Sequence, residues 1–484
     1  MLNLNKKKRS EIVLRSVSKF YKKEFNNIIA SSASGWQYFV DYDIKTFTKA
    51  IPRNIENSLN KIDKIEILDN NTMPDVMNYD AKKLIQYLSK LSTSKELYIK
   101  LEEILYLKHP VLTDENFKNI KTTINQHSEF KTNFLFLGGG ITSLFMANIL
   151  KSHLKDKVNI IIFDNRINSK GKRKVFDRNW LTHLDIYNFT AMLDDEINLI
   201  LNKFFKNNLI GLPLKFLEAI LMIFCKERGI NFIFNENLNF SSFDNLVIDF
   251  FIDGTGGRIN NFYTNNSIIN DLDIEYKGNP TNYTFAGIPN KIYSSNIYNF
   301  KLKKNGNLYI PTYKGKKIES FMFKITGIPS KYYKNFIKLI SNKNKDNLFY
   351  IWNGNLPTEI NELLIFINLD KTQYTMLKKL LINKVNPIKF LKSVTDNNIL
   401  LDIRIMNLIN ILSELNLNCK TIICEPPFKY SPYINPVNTL SFLNNMPLLP
   451  IGDSIFCGHP KVGNGLNFHL KFINNFAKSL IKII

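Results

Sequence analysis

The chain has 484 residues, 44% of them hydrophobic and 13% aromatic, with a formal net charge of +22. Its length exceeds one ordinary core and predicts two or three domains, and its apolar content points to globular folding. The 4 cysteines, Cys225, Cys419, Cys424 and Cys457, form no CxxC pair and have no matching histidine ladder. That argues against a disulfide framework or a metal site and for a reducing compartment.

The positive charge suits nucleic acid, an anionic membrane face or an acidic protein as partner. Against this, the lysines are dispersed, with only short clusters at Lys6–Arg9, Lys170–Lys174 and Lys314–Lys317, as on a solvated surface in a Lys- and Asn-rich chain. The amino terminus, MLNLNKKKRSEIVLRS, is charged at once and lacks the apolar core of a signal peptide. Residues 1–130 read as a helical extension, with helical spacing in SKELYIKLEEILYLK (94–108) and a polar, interrupted stretch at 52–80.

At residue 133 the pattern changes. NFLFLGGGITSLFMANILKSH is a short apolar run, a glycine turn and a helix-patterned run, and VNIIIFDNR (158–166) follows as a second strand ending in an acid. This predicts the strand–turn–helix–strand opening of a dinucleotide-binding fold, assigned to residues 131–260. LIGLPLKFLEAILMIFC (209–225) contains Lys215 and Glu218, is short for a membrane span, and is predicted as a buried amphipathic helix. NLVIDFFIDGTGG (245–257) is another β-rich run ended by glycines.

Residues 261–420 mix strand-like alternation (SFMFKITGI, NELLIFINL) with helical segments and carry no second phosphate loop, which assigns them to a substrate domain. The aromatics Phe321, Phe323, Tyr332, Tyr333, Tyr350 and Trp352 either line its pocket or fill its core. Residues 421–484 return to a strand, a Gly-Asp turn and a closing helix, expected to pack on the first unit. The fold class is therefore α/β: a Rossmann-like dinucleotide-binding domain, which the resemblance given below makes an FAD/NAD(P)-binding one, a mixed-sheet α+β substrate domain and the helical extension.

GGGITS (138–143) fits GxGxxG with Ser143 in the third glycine place. Gly138 permits the tight turn, Gly140 lets backbone amides approach a pyrophosphate, and a small Ser143 permits close helix–strand packing. The next helix points its N–H groups and positive dipole end at the phosphates. Asp164 ends the following strand, where an acid accepts hydrogen bonds from ribose hydroxyls.

The closing segment reads PLLPIGDSIFCGHPKVGNGLNFHL (447–470). Together with the glycine turn it resembles the para-hydroxybenzoate hydroxylase-like FAD-dependent monooxygenases. The match covers Gly452, Asp453, Pro460, Gly463, Gly465 and Asn467, with Asn464 where Gln is frequent and Leu466 between. DFFIDGTGGR (249–258) is similar to the family's Asp-Gly element at Asp253 and Gly254, with Arg258 as a phosphate contact or a solvent-exposed arginine. The resemblance implies that Asp453 serves the flavin ribityl chain and that the later turn holds the isoalloxazine edge. It also implies FAD as cofactor, NAD(P)H as a transient co-substrate, and oxygen transfer through a flavin C4a-hydroperoxide.

Within this class the chain looks most like the monooxygenase domain of MICAL proteins. The shared features are the helical extension, the Asp164-x-Arg166 strand end and the basic stretch KGKRKVFDRNWLTHLD leading to Trp180 and His183. Those two residues lie on the segment that approaches the flavin in such proteins, and are candidates for catalysis or for packing. The chain departs from the family in having Lys215 where the helix usually starts with Arg, which lacks Arg's planar fork. MICAL proteins also lack the His-Pro of the late motif, so actin is not implied as substrate.

His469 reads as a satisfied helix-face histidine, and Cys457, inside the Gly-Asp loop, receives no role. The function expected is a cytoplasmic FAD-dependent monooxygenase acting on a small aromatic or lipid-like molecule or on a macromolecule. The alternatives are an FAD-dependent reductase or halogenase of the same fold, or a non-catalytic flavin- or nucleic-acid-binding protein. The halogenase would want a pocket lysine and a Trp-x-Trp element, and the sequence shows neither.

Overall fold

A computed structural model of the chain describes residues 6–41, 49–50, 80–105, 131–166, 181–206, 209–234, 246–259, 271–278, 281–285, 288–292, 296–332, 350–353, 362–397, 401–402, 422–436, 440–443, 445–458 and 464–484, with scattered positions at 118–125, 243 and 405–412. The polar stretch at 52–80 falls outside these apart from Asp80.

Helices open the described chain. α1 (Lys6–Asp41) buries Val13, Val17, Tyr21 and Ile28, a stripe at helical spacing. α2 (Ala81–Lys90) starts where the Asp80 carboxylate accepts the Lys83 N–H at 3.1 Å. α3 (Ser94–Leu105) starts with a reciprocal cap: the Thr93 hydroxyl accepts the Glu96 N–H, and the Glu96 carboxylate accepts the Thr93 N–H. Those hydrogen bonds lower the Glu96 pKa.

β1 (Thr132–Leu137) leads through the glycine turn into α4 (Ile141–Leu154), and β2 (Val158–Asp164) pairs with β1 in parallel. A short antiparallel pair, β3 (Leu181–Asp185) and β4 (Leu209–Pro213), precedes α5 (Leu214–Glu227). Residues 209–225 are therefore not one helix. Pro213 occupies the N-cap of α5, where its missing N–H costs nothing, so the apolar run is split into a strand and a helix. β5 (Asn231–Phe234) and β6 (Phe250–Asp253) follow, the latter shorter than the β-rich run that contains it.

A second sheet begins with β7 (Leu272–Lys277), β8 (Ile297–Asn305) and β9 (Leu308–Tyr313), all antiparallel neighbours. A third comprises β10 (Ser320–Pro329), β11 (Tyr350–Asn353), β12 (Glu362–Leu369) and β13 (Ile423–Tyr430), in the order β11-β12-β10-β13. One face of this third sheet packs on α6 (Lys371–Leu380) and α7 (Pro387–Asp396), capped by Asp370 and Asn386. Phe321 lies tilted against Tyr374, Phe323 stacks on Phe390, and Tyr332 packs on the same core, so these aromatics fill an interior. Tyr333 and the side chains of Tyr350 and Trp352 lie outside the described residues.

The chain then returns. β14 (Tyr433–Ile434) joins the second sheet, β15 (Ser441–Leu443) and β16 (Met446–Pro450) form a hairpin, and β17 (Phe456–Cys457) precedes the closing α8 (Asn464–Ile481). β16 pairs in parallel with β6, giving the first sheet the order β15-β16-β6-β1-β2-β5. β1 is buried at every position, as a parallel strand covered on both faces requires. The architecture is mixed α/β, with a parallel sheet and helices at its amino-terminal end. Phe20 and Tyr21 of α1 pack on Phe472 and Phe476 of α8, with ring centroids 5.2–5.6 Å apart. Among the described residues no helix is long and apolar enough to cross a membrane.

Candidate functional site

The glycine turn sits at the carboxyl ends of the parallel strands. The Gly138 N–H donates to the Phe163 carbonyl at 2.7 Å, and the Gly254 N–H to the Leu137 carbonyl at 2.9 Å, tying the ends of β1, β2 and β6 together. Gly138 has φ +90°, and a Cβ there would lie 2.8 Å from the Gly254 oxygen, so no other residue fits. A Cβ on Gly254 would lie 2.0 Å from the Ser143 hydroxyl, which is the close helix–strand approach expected of a small third residue. Gly140 caps α4 without a side chain, and a Cβ on it would meet only Glu218, 3.9 Å away. The first N–H groups of α4, which lack intrahelical acceptors, thus face open space.

Asp164 ends β2 and is 1% exposed. The Arg166 guanidinium donates to both of its oxygens at 2.5–2.9 Å and lies 3.6 Å from a Glu218 oxygen. Glu218, on the first turns of α5, is itself 4% exposed. Buried carboxylates persist only with such pairing; the single Arg166 charge is bonded to Asp164 and is shared at longer range with Glu218. Gly139 makes room for the cluster, since a Cβ there would be 2.7 Å from an Asp164 oxygen.

The late Gly-Asp turn arrives from β16, where the Ile451 N–H donates to the Asp253 carbonyl at 2.8 Å. Gly452 has φ +58°, and a Cβ on it would lie 2.6 Å from the Thr142 hydroxyl, so this turn rests on the first turn of α4. Ser454 accepts the N–H groups of Gly256 and Gly257, and the Tyr433 hydroxyl reaches the carbonyls of Asp453 and Gly256 at 2.7 and 3.1 Å. Burial, and then the neighbouring Cys457 and Asp453, pushes the Tyr433 hydroxyl pKa far up, so it stays a donor. The Asp453 side chain remains 58% exposed, 3.3 Å from the His469 Nε2.

These pieces line one cavity of about 480 Å³. Gly138, Gly140, Asp164, Arg166, Gly254, Asp453 and Leu466 are on its wall, as is Arg258, which is exposed yet faces this space. Ser143 is buried beneath the wall, and Gly452 holds the late turn against α4. The Asp253 carboxylate turns back to its own loop, accepting from the Thr255 N–H and hydroxyl. Lys215 is off the wall, its ammonium 4.8 Å above the Phe216 ring, while Leu214 and Glu218 of the same helix reach the cavity. Gly465 and Asn467 line a smaller space of about 210 Å³ between α1 and α8, and Asn467 accepts the Asp185 N–H at 2.9 Å. Pro460, Gly463 and Trp180 lie outside the described residues, as do the side chains of His183 and Asn464.

Sequence reasoning left out Glu218 as a wall residue and misjudged His469. His469 is not a satisfied helix-face histidine: it is 1% exposed, lines the cavity, and has no hydrogen-bond partner for either ring nitrogen among the described residues. The signal for Glu218 is a carboxylate within the apolar stretch of α5, with buried residues on both sides. As a set, the wall carries a carboxylate near each end and an amide-rich helix start between them. That donor set fits a molecule with hydroxyls at both ends and phosphates in the middle, such as FAD.

The chain matches no protein-family model and no curated protein. Among solved structures it has a distant likeness to CtdE in complex with FAD (9% identity over 72% of this chain and 83% of that chain, TM-score 0.33). It has similar likenesses to 2-methyl-3-hydroxypyridine-5-carboxylic acid oxygenase (10%, 73% and 86%, TM-score 0.36) and to p-nitrophenol 4-monooxygenase from Pseudomonas putida DLL-E4 (8%, 73% and 80%, TM-score 0.33). Likenesses this remote carry no argument about this chain.

Proposed function

We propose that the chain is an FAD-dependent monooxygenase that takes electrons from NAD(P)H and uses O2 to oxidise a substrate. One observation carries the reading: Asp164, the glycine turn and Asp453, drawn from opposite ends of the sequence, face a single cavity. In this reading Asp164 accepts hydrogen bonds from the adenosine ribose, the start of α4 receives the diphosphate, and Asp453 takes the ribityl hydroxyls. In this reading the start of α8, with Leu466 on the cavity wall, approaches the flavin edge. Residues 131–260 and 421–484 together form the FAD-binding half, and 261–420 the substrate half. Bound flavin supplies the redox chemistry and oxygen activation, while the protein orients it and keeps water out. The substrate is an aromatic or lipid-like molecule or a macromolecular side chain.

The test is uptake of FAD by the purified full chain, read as flavin absorbance, followed by NAD(P)H-dependent oxygen consumption. Asp453→Ala is expected to weaken FAD binding roughly 10- to 100-fold, the worth of hydrogen bonds to a charged group. Protein that stays colourless in excess FAD and consumes no oxygen would overturn the proposal. A reduced flavin that passes electrons to dyes but never oxygenates would redirect it to a reductase.

A further inference from the structure

Resting on the flavin reading, we infer that His469 is a ligand-binding residue, paired with Asp453 to grip one hydroxyl of the polyol chain between the diphosphate and the ring. A hydroxyl can donate one hydrogen bond and accept another. At this spot the wall offers a matching pair: the Asp453 carboxylate, which only accepts, and the His469 Nε2, which donates in its Nε2–H tautomer. The two groups lie 3.3 Å apart and are not joined by a hydrogen bond, so the His469 ring nitrogens keep their capacity for a ligand oxygen that comes to rest beside the Asp453 carboxylate.

Burial sharpens the argument. A side chain that is 1% exposed with neither ring nitrogen hydrogen-bonded has lost its water without replacement, and such a group in a folded protein calls for a specific explanation. Packing alone would be served as well by Phe or Leu, since the ring sits among Phe456 and Phe468, with centroids 4.6 and 6.0 Å away. Those rings, one from β17 and one from α8, instead fix the imidazole plane before any ligand arrives. His469 lies on the α8 face that carries Leu466, also on the wall, while Gly465, Asn467 and Phe468 face the smaller space.

The test compares two variants in the full chain with two ligands. His469→Phe keeps the aromatic packing and removes the nitrogens; His469→Gln keeps a donor. FAD contains the polyol chain and ADP does not. His469→Phe is expected to raise the Kd for FAD about 5- to 10-fold and leave that for ADP unchanged, with an apoprotein Tm no lower than wild type. His469→Gln is expected to restore most of the FAD affinity. Equal FAD affinity in wild type and the Phe variant overturns the inference, as does a parallel loss of ADP and FAD binding, the mark of a merely structural role. Wild-type protein that binds ADP but takes up no FAD overturns the flavin reading, and the inference with it.

Discussion

Two regions of this molecule bury charge, and they do so for different ends. In the sheet β11-β12-β10-β13, Lys324 is 3% exposed and meets Glu425 directly across the β10–β13 register at 2.6 Å, with Lys384 3.9 Å from the same carboxylate. Neither Lys324 nor Glu425 is on the wall of the large cavity. At the ends of β1 and β2, Asp164, Arg166 and Glu218 are similarly buried and similarly paired, yet all three line that cavity. The difference lies in their neighbours. Phe366, Met322 and Phe428 flank the first set in register, whereas Gly138, Gly139, Gly140 and Gly254 surround the second. Space beside a buried charge comes from the residues that leave it empty.

The sharpest test of that contrast is to remove one partner of the enclosed pair. Lys324→Met leaves the Glu425 carboxylate with only the more distant Lys384 and is expected to destabilise by about 3 kcal/mol, read by denaturant unfolding. Adding Glu425→Leu should recover most of that loss, and FAD affinity should not change in the double variant. If Lys324→Met costs nothing, the two regions are not the opposites described.

Filling the glycine-lined region should cost less stability and more binding. Gly254→Ala places a methyl group into the Ser143 hydroxyl and is expected to destabilise by about 1–3 kcal/mol, with loss of nucleotide uptake. Ser143→Ala in the same chain should return part of it, because the hydroxyl is the nearest obstacle.

A smaller effect is expected at the buttress behind the cavity. The buried Tyr21 hydroxyl donates to the Pro450 carbonyl at 2.7 Å, and burial, then Asp253, raises its pKa above the ordinary 10.0. A raised folded value means that this contribution is whole below pH 10 and declines as pH rises beyond it. Tyr21→Phe should therefore cost about 1 kcal/mol near neutrality and remove part of the alkaline loss, seen as a flatter pH–stability curve. Least disruptive is a labelling experiment. The fully buried Cys225 thiol, pushed far up by burial, should resist a water-soluble maleimide in the folded chain, while the half-buried Cys457 reacts. Labelling of both at equal rates would mean that α5 is not sealed against α4.

The parts of this site legible in the sequence are those where backbone geometry restricts the residue type. Gly138 and Gly452 sit at positive φ, Asp164 closes a strand, and each leaves a local signature in GGGITS, IIIFD or PIGDS. Glu218 and His469 were not legible as wall residues, because a polar residue on an apolar helix carries no mark of which neighbour it meets. Residues 209–213 read as helix in the sequence because Leu, Ile and Leu satisfy both periods over so short a run. Pro213 marked the boundary. The parallel sheet was legible from β1-α4-β2, but the insertion of β16 beside β6 is a long-range pairing that no local pattern encodes.

The seating of Gly452 against Thr142 has a consequence for biogenesis. More than three hundred residues separate these positions, so a nascent chain exposes the first half of its nucleotide cradle long before the second has been translated. At roughly 5–20 residues per second the delay is about 15–60 s. If the chain takes up flavin as proposed, loading awaits near-completion of synthesis, and ribosome-bound fragments lacking the last forty residues should emerge without flavin fluorescence quenching.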